Sequence, residues 1–332
     1  MKLTFLWQSK TFSEQEWIQD IFAPMAGEQV YDGEHRIVLD NCLLIDSYIH
    51  VQPRDYYARF RGRNAWLLHL SDETYEGGYD VYRNFRGVFR NYWSSIFNPL
   101  RVMQLPLGYT SGFIHEESKS EIDRRMYVWS FLGHDGKSTR PDMLEALRTL
   151  QPNFVHTTEQ NRQKHLSKSE YQRILRDSIF VPCSMGNINL ESFRVYEALE
   201  CGAIPILEKR PGLDYFARLL DAHPLPTFGN WRQAASFIAS IRDDRNALVN
   251  LQKQCVDWWA AYKQRLRERI ESFIQPKPVE EADSCIHWCH SLPGWQSVEL
   301  LRHHTMPAIA RRMKLHFERL SKEGKLRKTL GG

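Results

Sequence analysis

Residues 179–206 read IFVPCSMGNINLESFRVYEALECGAIPI, which alternates apolar runs with a polar loop and an amphipathic stretch. The apolar runs at 179–182 and 203–207 each predict a strand. Between them, a polar loop that contains Gly186 leads into a predicted helix at 191–200, which Gly202 ends. Strand, helix and strand in this order are the repeating unit of a parallel sheet. The segment therefore predicts an α/β fold, in which ligands bind beyond the carboxyl ends of the strands.

The same alternation continues on both sides of this segment. Further strands are predicted at 2–7, 37–45, 65–70, 87–93, 102–105, 126–132 and 154–155, and further helices at 13–22, 141–150, 167–177 and 244–274. Ser13 is the predicted N-cap of the first helix. A charged stretch at 115–125 separates two series of elements. We therefore predict two Rossmann-like domains, 1–118 and 124–274, facing each other across a cleft, with a basic helical C-terminal extension, 279–332, that packs back on them.

The composition is that of a soluble globular enzyme. Of the 332 residues, 42% are hydrophobic and 25% are charged, which excludes a disordered or collagen-like chain. Six cysteines are too few for a disulfide framework in a chain of this length. Every apolar run is shorter than the roughly 18 residues that a membrane span needs. We expect a cytoplasmic protein.

Charge is distributed unevenly along the chain. The 44 Lys and Arg exceed the 40 Asp and Glu by four, but residues 301–332 contain nine of the former and two of the latter. The tail is therefore +7 and residues 1–300 are −3. An acidic body without a recognition motif argues against a nucleic-acid partner. The tail is either a surface that docks peripherally on an anionic membrane or a solvated helix, and both interpretations stay open.

The helix predicted at 191–200 begins where a polar loop follows a strand. Free N–H groups and the helix dipole favour an anion there. Arg194 offers a forked donor for phosphate, and Glu197 lies one turn further along the same face. This pattern suits a nucleotide, with the diphosphate at the helix start and the ribose hydroxyls on the acid. A surface Arg–Glu pair at helical spacing is an equally simple explanation.

These residues also resemble a known signature. The pattern Pro182…Gly186…Ser192-Phe-Arg194-Val-Tyr-Glu197-Ala-Leu…Gly-Ala-Ile-Pro205 is similar to the donor site of exostosin-type glycosyltransferases, which have the GT-B fold and are related to the ribitol xylosyltransferases. The segment Trp-Ser-Phe-Leu-Gly133, with Arg140 after it, resembles the first strand and loop of the same family's C-terminal domain.

The resemblance implies a role for each of these positions. Ser192 and Arg194 would bind the donor diphosphate, and Glu197 would bind the ribose. Gly133, Arg140 and the Gly186 loop would line the same cleft. With two arginines and a helix dipole to stabilise the leaving diphosphate, we expect neither a metal ion nor another cofactor.

An inverting transfer also needs a base on the acceptor side of the cleft. Asp72 and Glu73 directly follow the strand at 65–70 and are the candidate catalytic acids, although a helix N-cap at Asp72 explains the pair equally well. The loop at 105–109 contains Gly108, which either lets the backbone approach a ligand or forms a simple turn.

The stereochemistry of the transfer can be approached from glutamate spacing. Retaining GT-B enzymes often have two glutamates separated by seven residues, and if Glu197 is the second, Asn189 occupies the first position. Glu200 and Glu208 have the spacing but straddle the turn at Gly202. The pattern therefore favours inversion over retention, and both stereochemical outcomes stay open.

Two other motifs suggest different functions. Gly133-His-Asp-Gly-Lys137-Ser138 ends like a phosphate-binding loop, which indicates a kinase, but Phe131 stands where that motif needs glycine. Cys285, His287, Cys289 and His290 form either a metal cluster or a helix-packing face.

The predicted function is hexosyl or pentosyl transfer from a nucleotide-diphosphate donor, a UDP-sugar, to a glycan or glycoconjugate hydroxyl in polysaccharide or glycoconjugate assembly. The alternative is a non-catalytic two-domain protein that binds a nucleotide or glycan.

Overall fold

Six parallel strands form the first of two sheets. The computed structural model describes residues 2–31, 38–47, 49, 52–73, 75, 78–113, 121–136, 139–158, 166–186, 189–275 and 285. The strands of the first sheet are β1 (Leu3–Trp7), β2 (Ala26–Tyr31), β3 (Cys42–Asp46), β4 (Ala65–His69), β5 (Gly87–Arg90) and β6 (Val102–Gln104). Their order is β2-β1-β3-β4-β5-β6. Strands β3, β4 and β5 are fully buried, because their near-continuous apolar runs are covered on both faces.

The short helices of the first half are α1 (Gln15–Ile21) and α2 (Arg54–Ala58). The prediction that Ser13 caps α1 is wrong. Glu14 occupies the N-cap position, and no side chain caps the helix. The Ser13 carbonyl instead accepts the Ser111 backbone N–H at 2.6 Å. Strand β2 was not predicted from the sequence, because at this sheet edge only Val30 is buried and no apolar run marks the strand.

The second sheet is also parallel. It contains β7 (Tyr127–Gly133), β8 (Asn153–Thr157), β9 (Ser178–Cys183), β10 (Ile204–Glu208) and β11 (Thr227–Phe228), in the order β11-β10-β9-β7-β8. Its helices are α3 (Arg140–Leu147), α4 (Lys168–Arg176), α5 (Phe193–Glu200), α6 (Tyr215–Leu220), α7 (Trp231–Ile241) and α8 (Arg245–Ile274). The strand order reverses between β7 and β9, so their carboxyl ends form a crevice.

The two-sheet α/β architecture predicted from the sequence is confirmed, and all five predicted helices are present with ends within three residues of the predicted ones. Helix α5 begins at Phe193 and so places Ser192 before the first turn. Helices α6 and α7 and strand β11 were not predicted. The domain boundaries at 118 and 124 remain predictions, since residues 114–120 lie outside the described part of the chain.

Helix α8 connects the two halves. Asp244 caps its start by accepting the Ala247 backbone N–H at 3.0 Å. Lys263 pairs with Glu200 at 2.7 Å in the second half, whereas Arg267 pairs with Asp20 in the first half. At the end of the helix, Phe273 packs against the first sheet. The helix thus belongs to both halves.

An aromatic cluster fills the space between α1, α5 and α8. The Trp17 ring stacks on Trp259 at 5.6 Å and on Tyr196 at 6.5 Å, and meets Tyr109 edge-to-face at 5.4 Å. Gly108 has φ +76°, and a Cβ atom there would lie 2.2 Å from the Trp17 ring. The glycine therefore allows close approach of an indole ring, not of a ligand.

The extension 279–332 and the Cys/His segment lie outside the described residues, apart from Cys285. Cys42, Cys183, Cys201 and Cys255 are buried and free, in agreement with the expectation that the chain has no disulfide framework. Among the described residues, no helix combines the length and the apolar character needed to cross a membrane.

Gly108→Ala should lower the free energy of unfolding by about 3 kcal/mol, because alanine is strained in this left-handed backbone conformation and its Cβ would clash with Trp17. Gly62→Ala is the matched control, since Gly62 has φ +73° but nothing within 4 Å of an added Cβ. The control should cost only about 1 kcal/mol. Urea denaturation measures both variants, and equal losses would show that the Trp17 contact contributes nothing.

Candidate active site

Five of the six predicted donor-binding residues line one cleft of about 470 Å³ at the carboxyl ends of β7 and β8 and the start of α5. They are Gly133, Arg140, Ser192, Arg194 and Glu197. The other walls come from α4, through Tyr171, and from the chain after β6, through Thr110 and Phe113. The crevice at the strand reversal is thus a real cavity to which both halves contribute.

Arg194 is the central cation of this cleft. Its side chain is only 8% exposed, and its Nη2 donates to the Leu132 carbonyl oxygen at 2.6 Å. Its Nε and Nη1 are buried, and neither has a hydrogen-bond partner in the described part of the protein. The guanidinium lies 4.6 Å from the centre of the Phe131 ring. A buried guanidinium with two free donors is costly unless a ligand accepts those hydrogen bonds.

Arg140 is the second cation, at the first position of α3. Its Nη1 donates to the His134 carbonyl oxygen at 2.6 Å, and its Nε is buried without a partner among the described residues. Burial, together with the positive charge of Arg194, lowers the pKa of Arg140 to about 10. Neither arginine forms an ion pair with a described carboxylate. Two neighbouring cations that share no counterion make a site for a polyanion.

Gly133 and Ser192 shape the space around these arginines. Gly133 has φ +140°, and a Cβ atom there would lie 3.0 Å from Arg194 Nη2. Glycine is therefore required both by the backbone conformation and by the approach of the guanidinium. Ser192 occupies the N-cap position of α5 but caps nothing, and its buried Oγ has no partner in the described structure. The first N–H groups of α5 are thus not capped by a side chain.

Glu197 does not form the surface pair with Arg194 that was the simpler explanation of the spacing. It is buried, and its two carboxylate oxygens accept hydrogen bonds from different side chains. Thr110 Oγ1 donates to Oε1 at 2.7 Å, and the Tyr171 hydroxyl donates to Oε2 at 2.8 Å. Each oxygen retains a lone pair, so Glu197 can still accept from two hydroxyl groups of a ligand.

Gly186 lies apart from the other five residues. Its N–H donates to the Asn189 carbonyl oxygen at 2.8 Å, and an added Cβ would lie 2.8 Å from Glu73 Oε1. The predicted donor-loop glycine thus makes room for a carboxylate of the first half. The contact brings Glu73 to the loop between β9 and α5.

The two candidate catalytic acids have different surroundings. Asp72 is buried, pairs with the fully buried Arg90 at 3.3 Å and accepts the Tyr79 hydroxyl at 2.7 Å. It is the counterion of Arg90, and no described helix starts at this position. Glu73 is only partly buried, and its Oε1 accepts the Asn189 backbone N–H at 3.2 Å. Burial and the charge of Arg194 lower the pKa of Arg140, and the negative charge of Glu73 offsets part of that lowering.

The two glutamates with the spacing of retaining enzymes contact different parts of the protein. Glu200 is bound by Lys263 and by the Trp259 Nε1–H, both at 2.7 Å, on α8. Glu208 pairs with Arg210 and accepts Thr139 Oγ1 at 2.7 Å. Both carboxylates therefore have structural partners.

Glu191 is a functional candidate that the sequence reasoning missed. It is buried at the start of α5 and accepts the Leu107 backbone N–H and the hydroxyls of Tyr196 and Tyr215, the latter at 2.6 Å. Burial raises the pKa of Glu191 to about 7. Leu107 belongs to the chain that leads from the first sheet, so this carboxyl joins the two halves. The sequence alone does not indicate this role, because a single glutamate beside Ser192 matches no motif.

Backbone strain is concentrated on the same face of the first half. Ser71, Tyr75 and Tyr92 have φ values of +60°, +53° and +63°, and they follow β4 and β5 at the carboxyl ends of these strands. Glu14 is buried near Ser71, and burial raises the pKa of its carboxyl. Strained residues and buried acids of this kind cluster at ligand-binding sites. No described group of three or more His, Cys, Asp or Glu residues could hold a metal ion.

Comparison with known proteins agrees with this geometry. Residues 111–278, slightly more than half of the chain, match the model of the RXYLT1 C-terminal domain family. The chain belongs to this family. Ribitol-5-phosphate xylosyltransferase 1 from Mus musculus is 23% identical over 211 residues, which cover 57% of this chain and 47% of the relative. The chain thus matches about half the length of that curated relative.

Solved structures establish the fold. The α1,3-fucosyltransferase crystal structure has a TM-score of 0.53 and 11% identity, and the match covers 85% of this chain and 93% of that one. Its complex with GDP-fucose has a TM-score of 0.50 and 11% identity over the same shares. A DNA-modifying β-glucosyltransferase, studied with and without uridine diphosphoglucose, has a TM-score of 0.50 at 10% identity, covering 83% of this chain and 100% of that one. The GT-B fold and the relationship to ribitol xylosyltransferases are therefore confirmed.

Glu191 should make stability depend on pH. The unfolded chain loses this proton near the ordinary pKa of 4.5, whereas the folded protein keeps it up to about 7. Between these values the folded state binds more protons, so the free energy of unfolding falls as pH rises, by about 3 kcal/mol in total.

Urea denaturation from about pH 5 to about pH 8 measures this slope. Glu191→Gln should flatten it, whereas Glu268→Gln on the exposed face of α8 should leave it as in the wild type. Identical slopes for Glu191→Gln and the wild type would contradict the assignment.

Proposed function

We propose that this chain is an inverting, metal-independent glycosyltransferase that moves a sugar from a nucleotide-diphosphate donor, a UDP-sugar, to a hydroxyl of a glycan or glycoconjugate. The observation that carries the proposal is the pair of buried arginines, Arg140 at the start of α3 and Arg194 in α5, which line one cleft with free donors and no partner among the described carboxylates. A diphosphate supplies the charge and the acceptor oxygens that this pair lacks.

The donor side follows from these contacts. The diphosphate would bind to Arg194, Arg140 and the uncapped start of α5, with Ser192 Oγ as a further donor. The ribose hydroxyls would donate to Glu197. When the bond between the sugar and the diphosphate breaks, the negative charge on the leaving oxygen grows, and the same arginines stabilise it without a metal ion.

The acceptor side needs a base, and Glu73 is the acid of the predicted pair that can serve. Its carboxylate lies at the loop before α5 and influences Arg140, so it is close to the donor cleft. It would take the proton of the acceptor hydroxyl as that oxygen attacks the anomeric carbon, and the nucleoside diphosphate would leave. The pairing of Asp72 with the buried Arg90 favours Glu73 over Asp72 for this role.

The relatives support a sugar nucleotide as the donor. The fucosyltransferase was solved with GDP-fucose and the β-glucosyltransferase with uridine diphosphoglucose. The name of the mouse relative joins xylosyl transfer to ribitol 5-phosphate, and we propose a phosphate-bearing polyol of this class as the acceptor. A cytoplasmic location, and membrane contact through the extension 279–332, are parts of the proposal that depend on the sequence alone.

Arg194→Ala should weaken UDP binding at least 100-fold, because it removes charge-assisted hydrogen bonds worth about 3 kcal/mol. Isothermal titration calorimetry with UDP measures the affinity, and circular dichroism confirms the fold. Arg173→Ala is the matched control, because Arg173 is an exposed arginine on α4 that pairs only with Asp177 among described carboxylates. An unchanged UDP affinity in Arg194→Ala would refute the proposed donor site.

Glu73→Gln should lower the rate of UDP release in the presence of acceptor by about 100-fold or more while UDP affinity is kept, because the amide can accept from Asn189 but cannot take a proton. Asp72→Asn should instead lower the free energy of unfolding by about 3–5 kcal/mol, since Arg90 loses its buried counterion. If Glu73→Gln retains full turnover, the base is another residue, and Glu14 is next to test. A non-catalytic binding protein would release no UDP from any donor.

A further inference from the structure

A second cleft, of about 670 Å³, lies between the loop after β5 and the loop after β10. We call it the Arg210 groove and define it by Trp93, Ser95, Lys209, Arg210, Asp214 and Arg218. It has no lining residue in common with the donor cleft. Three of these six side chains are cationic and one is acidic, so the groove carries a net positive charge.

Arg210 is the buried member of this set, with 8% of its surface exposed. Its Nη1 pairs with Glu208, and its Nη2 faces only the thioether sulfur of Met185, at 3.0 Å. Its Nε is buried and has no partner among the described residues. Two of its three nitrogens thus lack an oxygen acceptor. A thioether is a weak acceptor, so this edge of the guanidinium can still bind an anion.

The loop that carries Arg210 is held in place by a tight turn. The Leu213 N–H donates to the Arg210 carbonyl oxygen at 3.1 Å, and Gly212, after Pro211, has φ +73°, as the third position of such a turn requires. The Lys209 N–H donates to the Phe228 carbonyl oxygen at 2.9 Å. The cations of the groove are therefore presented by a backbone that is already ordered.

Lys209 and Arg218 complete the positive wall. Both side chains are exposed, and neither forms an ion pair with a carboxylate in the described part of the chain. Asp214 lines the same groove, and its carbonyl oxygen accepts the Arg218 backbone N–H at 3.0 Å, but its carboxylate forms no ion pair with either cation among the described residues. Two exposed cations beside one buried arginine provide both the attraction and the fixed contact that a phosphate needs.

Trp93 provides a different kind of surface in the groove. Its N–H donates to the Tyr215 hydroxyl at 3.0 Å, its carbonyl oxygen accepts the Tyr75 hydroxyl at 2.9 Å, and its ring meets Tyr215 edge-to-face at 6.1 Å. Contacts from both halves therefore fix its position, and its ring is half-buried. A flat apolar ring beside cations suits a ligand with a carbon chain and a phosphate.

We infer that the Arg210 groove binds the phosphate group of a polyol-phosphate acceptor, with the polyol chain lying along Trp93. The inference rests on the proposed function. Arg210 contacts Met185, whose neighbour in the chain is Gly186, the residue against which Glu73 packs. A polyol held by its phosphate in the groove thus extends toward the proposed base.

The test measures binding of ribitol 5-phosphate to the full chain by calorimetry in saturating UDP, so that the donor cleft is already occupied. The wild type should bind this probe, and should bind uncharged ribitol at least tenfold more weakly. The double variant Lys209→Ala/Arg218→Ala changes only exposed side chains and so avoids a folding defect. It should bind ribitol 5-phosphate about 10-fold to 100-fold more weakly, as expected for lost charged hydrogen bonds.

Arg173→Ala is again the matched control, because Arg173 is an exposed arginine on α4 that lines neither the groove nor the donor cleft. It should leave the affinity for ribitol 5-phosphate as in the wild type. The inference is overturned if the double variant matches the control, if inorganic phosphate binds as tightly as ribitol 5-phosphate, or if the wild type with UDP bound does not bind the probe. Failure of UDP itself to bind would instead refute the proposed function.

Discussion

The buried carboxyl of Glu191 fixes the relation between the two halves on which the rest of the site depends. It sits at the start of α5, takes a backbone N–H from the chain leaving the first sheet, and accepts two tyrosine hydroxyls from α5 and α6. Leaving any of these buried donors without an acceptor would cost free energy, so the three donors and the Glu191 carboxyl hold each other in a single arrangement. That arrangement sets where Thr110 meets Glu197 and where the loop before α5 meets Glu73.

The two arginines of the donor cleft lie close together although their positive charges repel each other. The guanidinium groups of Arg140 and Arg194 lie 5.8 and 4.6 Å from the centre of the Phe131 ring. Their mutual repulsion raises the free-energy cost of burying both charges. The protein keeps them in place with carbonyl oxygens, which hold a guanidinium without neutralising it. A polyanion that binds these arginines therefore displaces no described carboxylate, and none of its binding free energy is lost in breaking an internal ion pair. Arg90 shows the opposite solution, in which Asp72 is a permanent counterion.

Much of this organisation could be predicted from the sequence, because buried parallel strands appear as apolar runs and the start of α5 carries a sequence motif. Helical spacing placed Arg194 and Glu197 on one face, and the resemblance to exostosin-type glycosyltransferases added Ser192 and the donor cleft to this interpretation. What could not be predicted depends on distant partners. Asp72 and Glu73 are adjacent and chemically alike, yet only Arg90 and Asn189, far along the chain, give them different roles. Gly108 faces Trp17 rather than a ligand for the same reason, and the exposed edge strand β2 lacks the apolar pattern that marks the others.

The course of α8 limits how the two halves can move. With 30 residues, the helix is about 45 Å long, and it is attached near its middle to Glu200 and farther along to Asp20 and the first sheet. A wide hinge opening would have to separate charged pairs and also withdraw Phe273 from the space beside Gly87, where an added Cβ would be 2.7 Å from its ring. Helix α8 therefore resists a wide separation of the two halves, because any such opening has to break contacts on both sides of the helix.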